Sequence, residues 1–185
     1  NPLMTSIRSH AFIRYGVSNK ENPFCKTPLK HIQKFHLDEK SGLEQSLIDS
    51  IVGFYKSGGT DGKSQPLLFK GKQSSGNLFL HKRDDIQKLK GIIENQVQKY
   101  LKSYKESDEG FIRHWPKKYN LYGWLVAIQS GGKLDAHIHK EGWLSGSLYF
   151  KMPKKLNKNE GNIVFSIDGA NYPKDNKKYP QEIKD

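Results

Sequence analysis

One cysteine, Cys25, stands in 185 residues, so no disulfide can form within the chain. A lone thiol suits a reducing, cytoplasmic setting. Long apolar runs are missing as well: no stretch approaches the roughly 18 residues a membrane helix needs, so no membrane partner is expected. The opening NPLMTSIRSHAF lacks the continuous apolar core of a secretory signal. Asn1, not Met, stands first, as expected of a fragment. Internal repeats, low-complexity tracts and a clean interdomain linker are also absent. Acidic residues are outnumbered, 19 against 31 lysines and arginines, giving a net charge of +12 and a pI near 9.6. That balance raises nucleic acid as a partner. The lysines, however, are spread over 26–40, 82–105, 151–158 and 174–184, in polar stretches or on the outer face of a helix. No RNP-like, zinc-finger or helix-turn-helix pattern accompanies them. They read as a solvated basic surface, and nucleic acid is not the expected partner.

The length is one domain's worth, enough to bury a core. A hydrophobic fraction of 35% and a mean hydropathy of -0.78 describe a soluble chain with a charged surface. Residues 1–40 show little periodicity and read as an extended lead-in with one short helix. The domain proper is 41–185. Its first helix spans 41–55, where Leu43, Leu47, Ile48, Ile51 and Val52 share one face, and Ser41 with Glu44 makes a capping box. A strand is expected at 67–69, then a polar, glycine-bearing turn at 71–79. The clearest helix spans 85–104, with Asp84 as N-cap, Gln87 at the capping-box position and one stripe of Ile86, Leu89, Ile93, Val97, Tyr100, Leu101 and Tyr104. Strand-like runs follow at 121–130, 143–152 and 162–167. Helices first and strands afterwards predict an α+β, mainly β domain with an antiparallel sheet.

Chemistry concentrates in GGKLDAHIHKEGWLSGSLYF, residues 131–150. Residues i and i+2 of a strand face the same way, so His137 and His139 would present two imidazoles side by side. Two such donors suit iron, zinc, copper or nickel equally, and a third ligand must come from elsewhere. Gly131-Gly132 permits a tight turn into the pair, and Ser145, Gly146 and Ser147 are small enough for backbone to approach a ligand.

The order Gly131-Gly132, His137-x-His139, Gly142-Trp143-Leu144-Ser145-Gly146, Tyr149, Pro153, Glu160-Gly161, Ile163, Phe165-Ser166, Gly169 and Tyr172-Pro173 resembles the 2-oxoglutarate- and iron(II)-dependent oxygenases of the prolyl-4-hydroxylase-like superfamily, in the form often found behind tetratricopeptide repeats. The resemblance is dense over 121–173 and looser from Gln73 to Tyr100. It implies a double-stranded β-helix, a cupin-like jelly roll with the N-terminal helices packed on one sheet. It also implies Fe(II) at one end of the barrel and 2-oxoglutarate as co-substrate. The implied reaction converts the latter to succinate as a C–H bond of an unidentified prime substrate is hydroxylated.

Two departures accompany the resemblance. The superfamily pattern is H-x-D or H-x-E, whereas His139 stands at the carboxylate position and leaves the site one charge more positive. His137 carries over as a ligand directly, His139 in position only, and Asp135 is an outlying candidate for the missing carboxylate. The family's distal histidine and the basic residue that holds 2-oxoglutarate have no counterpart after His139; the histidines at 10, 31, 36, 81 and 114 lie upstream. The expectation is a chain truncated before its last strands, with a half-built metal site and an open sheet edge that invites a homodimer. Trp124, Gln129, Ser145 and Tyr149 are the residues the resemblance places around the co-substrate. Two alternatives stand beside it: a non-catalytic β-helix module that binds a polyanion or protein through its basic surface, and a cupin-like protein using the two histidines for zinc or nickel.

Overall fold

The computed structural model describes residues 2–155, 157–169 and 172–185. In chain order these form α1 (Pro2–Tyr15), α2 (Gln45–Lys56), β1 (Gly62–Lys63), β2 (Leu68–Ser74), α3 (Asp84–Ser103), α4 (Gly110–Arg113), β3 (Val126–Leu134), β4 (Ile163–Ser166) and β5 (Gln181–Lys184). The chain divides into two compact units. One holds Phe35–Lys105 and Pro116–Ala136; the other holds Asn1–Lys34, Glu106–Trp115 and His137–Asp185.

The first unit is built on α2 and α3. Both apolar stripes turn inward: Leu43, Leu47 and Ile51 are buried before and along α2, and Ile86, Leu89, Ile92 and Tyr100 along α3. The α3 seam runs through Ile92 rather than Ile93, because a 3.6-residue repeat starting at Ile86 and Leu89 passes through 92–93 and only one of the two can face inward. The caps differ from the sequence expectation. Ser41 lies in a short 3-10 turn capped by Asp38, whose carboxylate accepts the Ser41 N–H at 3.1 Å. Gly42 then turns the chain at φ 82°, and α2 starts at Gln45 with no side-chain cap. At α3 the N-cap is Arg83, not Asp84, and the Gln87 amide donates to the Phe79 and His81 carbonyls at 3.3 and 2.7 Å.

Asp85 ties the two helices together. Its carboxylate takes two hydrogen bonds from Arg83 (3.1 and 2.7 Å) and one from the Ser50 hydroxyl (2.6 Å), while the Arg83 guanidinium lies 4.3 Å from the Phe54 ring centroid. The Arg83 hydrogen bonds lead in holding the Asp85 carboxyl at about 2, below the ordinary 3.8, with Ser50 and the Ile86 N–H assisting. A carboxyl whose folded value is depressed contributes fully above its unfolded value, and loses that contribution as pH falls toward the folded value. Allowing for the solvent that reaches Arg83, Asp85→Asn is expected to remove about 1–2 kcal/mol at neutral pH. It should also flatten the acid limb of the stability curve between about pH 5 and 2, read by urea titration at a series of pH values.

The sheet of this unit has the order β1-β2-β3, antiparallel throughout. Strand β2 runs to Ser74, so 71–74 of the turn expected over 71–79 is paired strand, and the remainder bends into a 3-10 turn at Leu78–Leu80. Register shifts between the pairs Gly71↔Ile128 and Phe69↔Lys133, leaving three more residues on β3 than on β2 across that interval. Gly131-Gly132 occupies this bulge and not a hairpin turn. Gly131 has φ 69°, and a Cβ on Gly132 would lie 2.8 Å from the Phe69 and Lys70 carbonyl oxygens. The entry to β3 is fixed by side chains. Asn77 accepts the Gly123 N–H at 3.0 Å and donates to the Leu121 carbonyl at 3.0 Å, and buried Ser74 accepts the Leu125 N–H at 2.9 Å.

The second unit holds α1, α4 and the β4-β5 hairpin pair, whose register runs from Ile163↔Lys184 to Ser166↔Gln181. The lead-in, expected to be extended with one short helix, carries its longest helix, α1, at its start, over Pro2–Tyr15. Polar residues hold it: Ser9 and His10 are buried, Asn22 donates to the Ser9 hydroxyl at 3.1 Å, and His10 receives the Gly169 N–H on Nδ1 at 3.1 Å. The His10 Nε2 faces the Pro173 carbonyl at 2.9 Å and the Tyr179 hydroxyl at 3.1 Å, with the Tyr179 ring stacked 4.4 Å away. The strand expected over 143–152 does not form. Trp143 is held instead by its indole N–H on the Phe111 carbonyl (2.9 Å) and by an edge-on contact with Phe24.

Candidate metal centre

His137 and His139 lie in the irregular stretch just after β3, not on a strand. The extended backbone still brings their imidazoles together, with ring centroids 4.9 Å apart and planes at 79°. His137 is exposed and His139 half-buried. Burial, then the neighbouring His137 charge, holds His139 below the ordinary histidine value, which favours the neutral form that a metal requires. Gly142 packs over the pair's second member: a Cβ there would meet His139 Cβ at 3.4 Å and the Ser145 hydroxyl at 3.2 Å.

The fit to an iron site is partial. Two nitrogen donors stand side by side, but among the described residues no third His, Cys, Asp or Glu joins them in a group of metal-ligand dimensions. Asp135 forms an ion pair with Lys133 at 2.7 Å in the other unit. The residues assigned to the co-substrate divide in the same way. Ser145 and Tyr149 belong to the histidines' unit and are exposed, though partial desolvation pushes the Tyr149 phenol up. Trp124 and Gln129 belong to the first unit. Trp124 is half-buried against Tyr122 (5.8 Å between centroids), and Gln129 lines an open groove of about 300 Å³ with Tyr55, Lys70 and Lys72. The pair offers two nitrogen donors where a two-histidine, one-carboxylate iron site uses three ligands.

A second cluster was not visible in the sequence. Cys25, His31 and Glu109 bring one donor atom each to within 4.8 Å of one another. Glu109, 3% exposed, sits just before α4 and is aimed back at the 25–27 segment. Its carboxylate accepts the Lys26 N–H at 2.6 Å and the Thr27 N–H and hydroxyl, both at 2.9 Å. His31 closes a 3-10 turn, Pro28–His31, that places Nδ1 3.9 Å from the Cys25 sulfur and Nε2 3.4 Å from the Ser107 hydroxyl. Burial first, and the Glu109 charge second, push the Cys25 thiol up to about 12. The only early signal was the spacing of Cys25 and His31, which is weak without the distant carboxylate.

Residues 122–184 match the family model described as "Putative 2OG-Fe(II) oxygenase". No curated protein and no solved structure gives a significant match. No helix among the described residues is long and apolar enough to cross a membrane. The matched region begins before β3, spans the histidine pair and ends in β5, the same stretch in which the sequence motif was dense. The similarity of this chain to the 2OG-Fe(II) oxygenase family thus rests on residues 122–184.

Proposed function

We propose that this chain supplies two histidine ligands of a non-haem iron centre in a 2-oxoglutarate-dependent hydroxylase of double-stranded β-helix type. The observation behind this reading is the meeting of His137 and His139 inside the family-matched segment, with rings 4.9 Å apart. Bound iron with 2-oxoglutarate would supply the oxidising power for C–H hydroxylation. The chain's own part is to present two imidazoles side by side, with Ser145 and Tyr149 in the same unit as the residues proposed for the co-substrate. A reducing cytoplasm suits both an iron(II) site and the single thiol of Cys25.

The half-site should bind a divalent metal measurably but less tightly than a complete three-ligand centre. Paramagnetic Co²⁺ added to the ¹⁵N-labelled chain is expected to broaden the ring resonances of His137 and His139 together. His137→Ala should weaken that binding by tenfold or more. If neither ring responds, the metal reading fails. If the chain binds polyanions in a salt-sensitive way that His137→Ala leaves unchanged, the +12 surface and not the histidine pair is the functional feature.

A further inference from the structure

We propose that Cys25, His31 and Glu109 form a second metal site, for a thiophilic divalent cation of the zinc type, independent of the His137–His139 pair. All three residues lie in one compact unit. Their ligand types, thiolate, imidazole and carboxylate, form a donor set that zinc accepts, and their mutual distances of up to 4.8 Å are close to what it requires. Zinc bonds of about 2.0–2.3 Å in tetrahedral array place ligand atoms about 3.3–3.8 Å apart. The Cys25 sulfur and His31 Nδ1 are already at 3.9 Å. Closing the rest takes side-chain movement of about 1 Å or less.

Charge favours the same ion. One thiolate and one carboxylate neutralise a divalent cation, so the loaded site brings no net charge into a buried position, whereas Glu109 alone leaves a buried anion there. Loading replaces the Cys25 S–H bond by an S–metal bond, and the thiol proton leaves to solvent, one per ion. His31 would give up the Nδ1–H it donates to the Thr27 carbonyl, at 3.1 Å, and take the other tautomer, whose Nε2–H can donate to the Ser107 hydroxyl. A metal-bound histidine commonly makes such an outer hydrogen bond through its second nitrogen. Glu109 Oε2 accepts the Lys26 N–H, and Oε1 stays on Thr27; the carboxylate's hydrogen bond with the Cys25 thiol gives way to the ion. Three protein ligands leave the fourth position to water.

Cobalt(II) tests this on the intact chain, because a thiolate-to-cobalt charge-transfer band can arise only from Cys25, the single cysteine. One equivalent of Co²⁺ is expected to produce the band and Zn²⁺ to bleach it. His137→Ala should leave the band intact, whereas His31→Gln should weaken the affinity tenfold or more. Cys25→Ser should abolish the band and the rise in thermal midpoint that Zn²⁺ gives the unsubstituted chain. Absence of the band in the unsubstituted chain overturns the site, whatever the variants do. So does a band that persists with unchanged affinity in a folded His31→Gln variant. Neither result bears on the His137–His139 reading.

Discussion

Ile86→Ala is expected to destabilise the chain by about 4 kcal/mol, read as a fall in the urea midpoint of the far-ultraviolet circular dichroism signal. Ile86 has no exposed surface, and neither has Ile51 on the facing helix. The side chains beside them, Ser50 and Asp85, are hydrogen-bonded at 2.6 Å, so α2 and α3 are pinned at this level and cannot slide together to refill the space. The removed methyl and methylene groups lose their transfer free energy, and the cavity that remains adds its own cost. Against a total stability of about 5–15 kcal/mol this is a large fraction. A loss below about 1 kcal/mol would mean that the helix pair does not form the core of the first unit.

Glu109→Ala has a comparable expected effect for a different reason. The carboxylate is the acceptor for two backbone N–H groups and a hydroxyl, all within 2.9 Å, and it is withdrawn from solvent. Alanine leaves those donors without a partner, at about 1–3 kcal/mol for each one that water cannot reach. A loss of about 3–5 kcal/mol follows, together with amide exchange at Lys26 and Thr27 that is faster by a hundredfold or more. Wild-type exchange rates at those two amides in the variant would contradict it. Glu109→Gln keeps one acceptor oxygen and should fall between the two.

The two helices were legible in the sequence because their burial is apolar. Leu43, Leu47, Ile51, Ile86, Leu89 and Tyr100 recur at helical spacing, and each is buried as expected. The place and length of helix α1 were not legible, because what it buries is polar. Ser9 and His10 reach 7% and 3% exposure through hydrogen bonds to Asn22 and Gly169, partners that no periodicity within residues 2–15 can reveal. The run 143–152 has the composition of a strand but lacks a paired neighbour. A tryptophan anchored at one end, with Tyr149 and Met152 half-exposed toward the other, leaves it irregular. The glycine pair 131–132 was rightly singled out as conformationally special, yet it serves a bulge whose existence depends on the partner strand β2.

The candidate site divides along the same line. His137 and His139 are two residues apart, so their meeting is a local property and survives the loss of strand geometry around them. The Cys25–His31–Glu109 group needs a carboxylate from before α4, and only tertiary folding brings it close. Residues with chemistry in common but far apart in sequence are found in the fold or not at all.

The central claim, that His137 and His139 are the metal-binding half of a 2-oxoglutarate-dependent centre, is tested most directly by absorption spectroscopy under anaerobic conditions. Iron(II) and 2-oxoglutarate are added together to the chain and to its His137→Ala and His139→Ala variants. The expected result is a visible metal-to-ligand charge-transfer band that needs both additions and disappears in each variant. A band that persists in both variants, or no band in the unsubstituted chain, would contradict the claim.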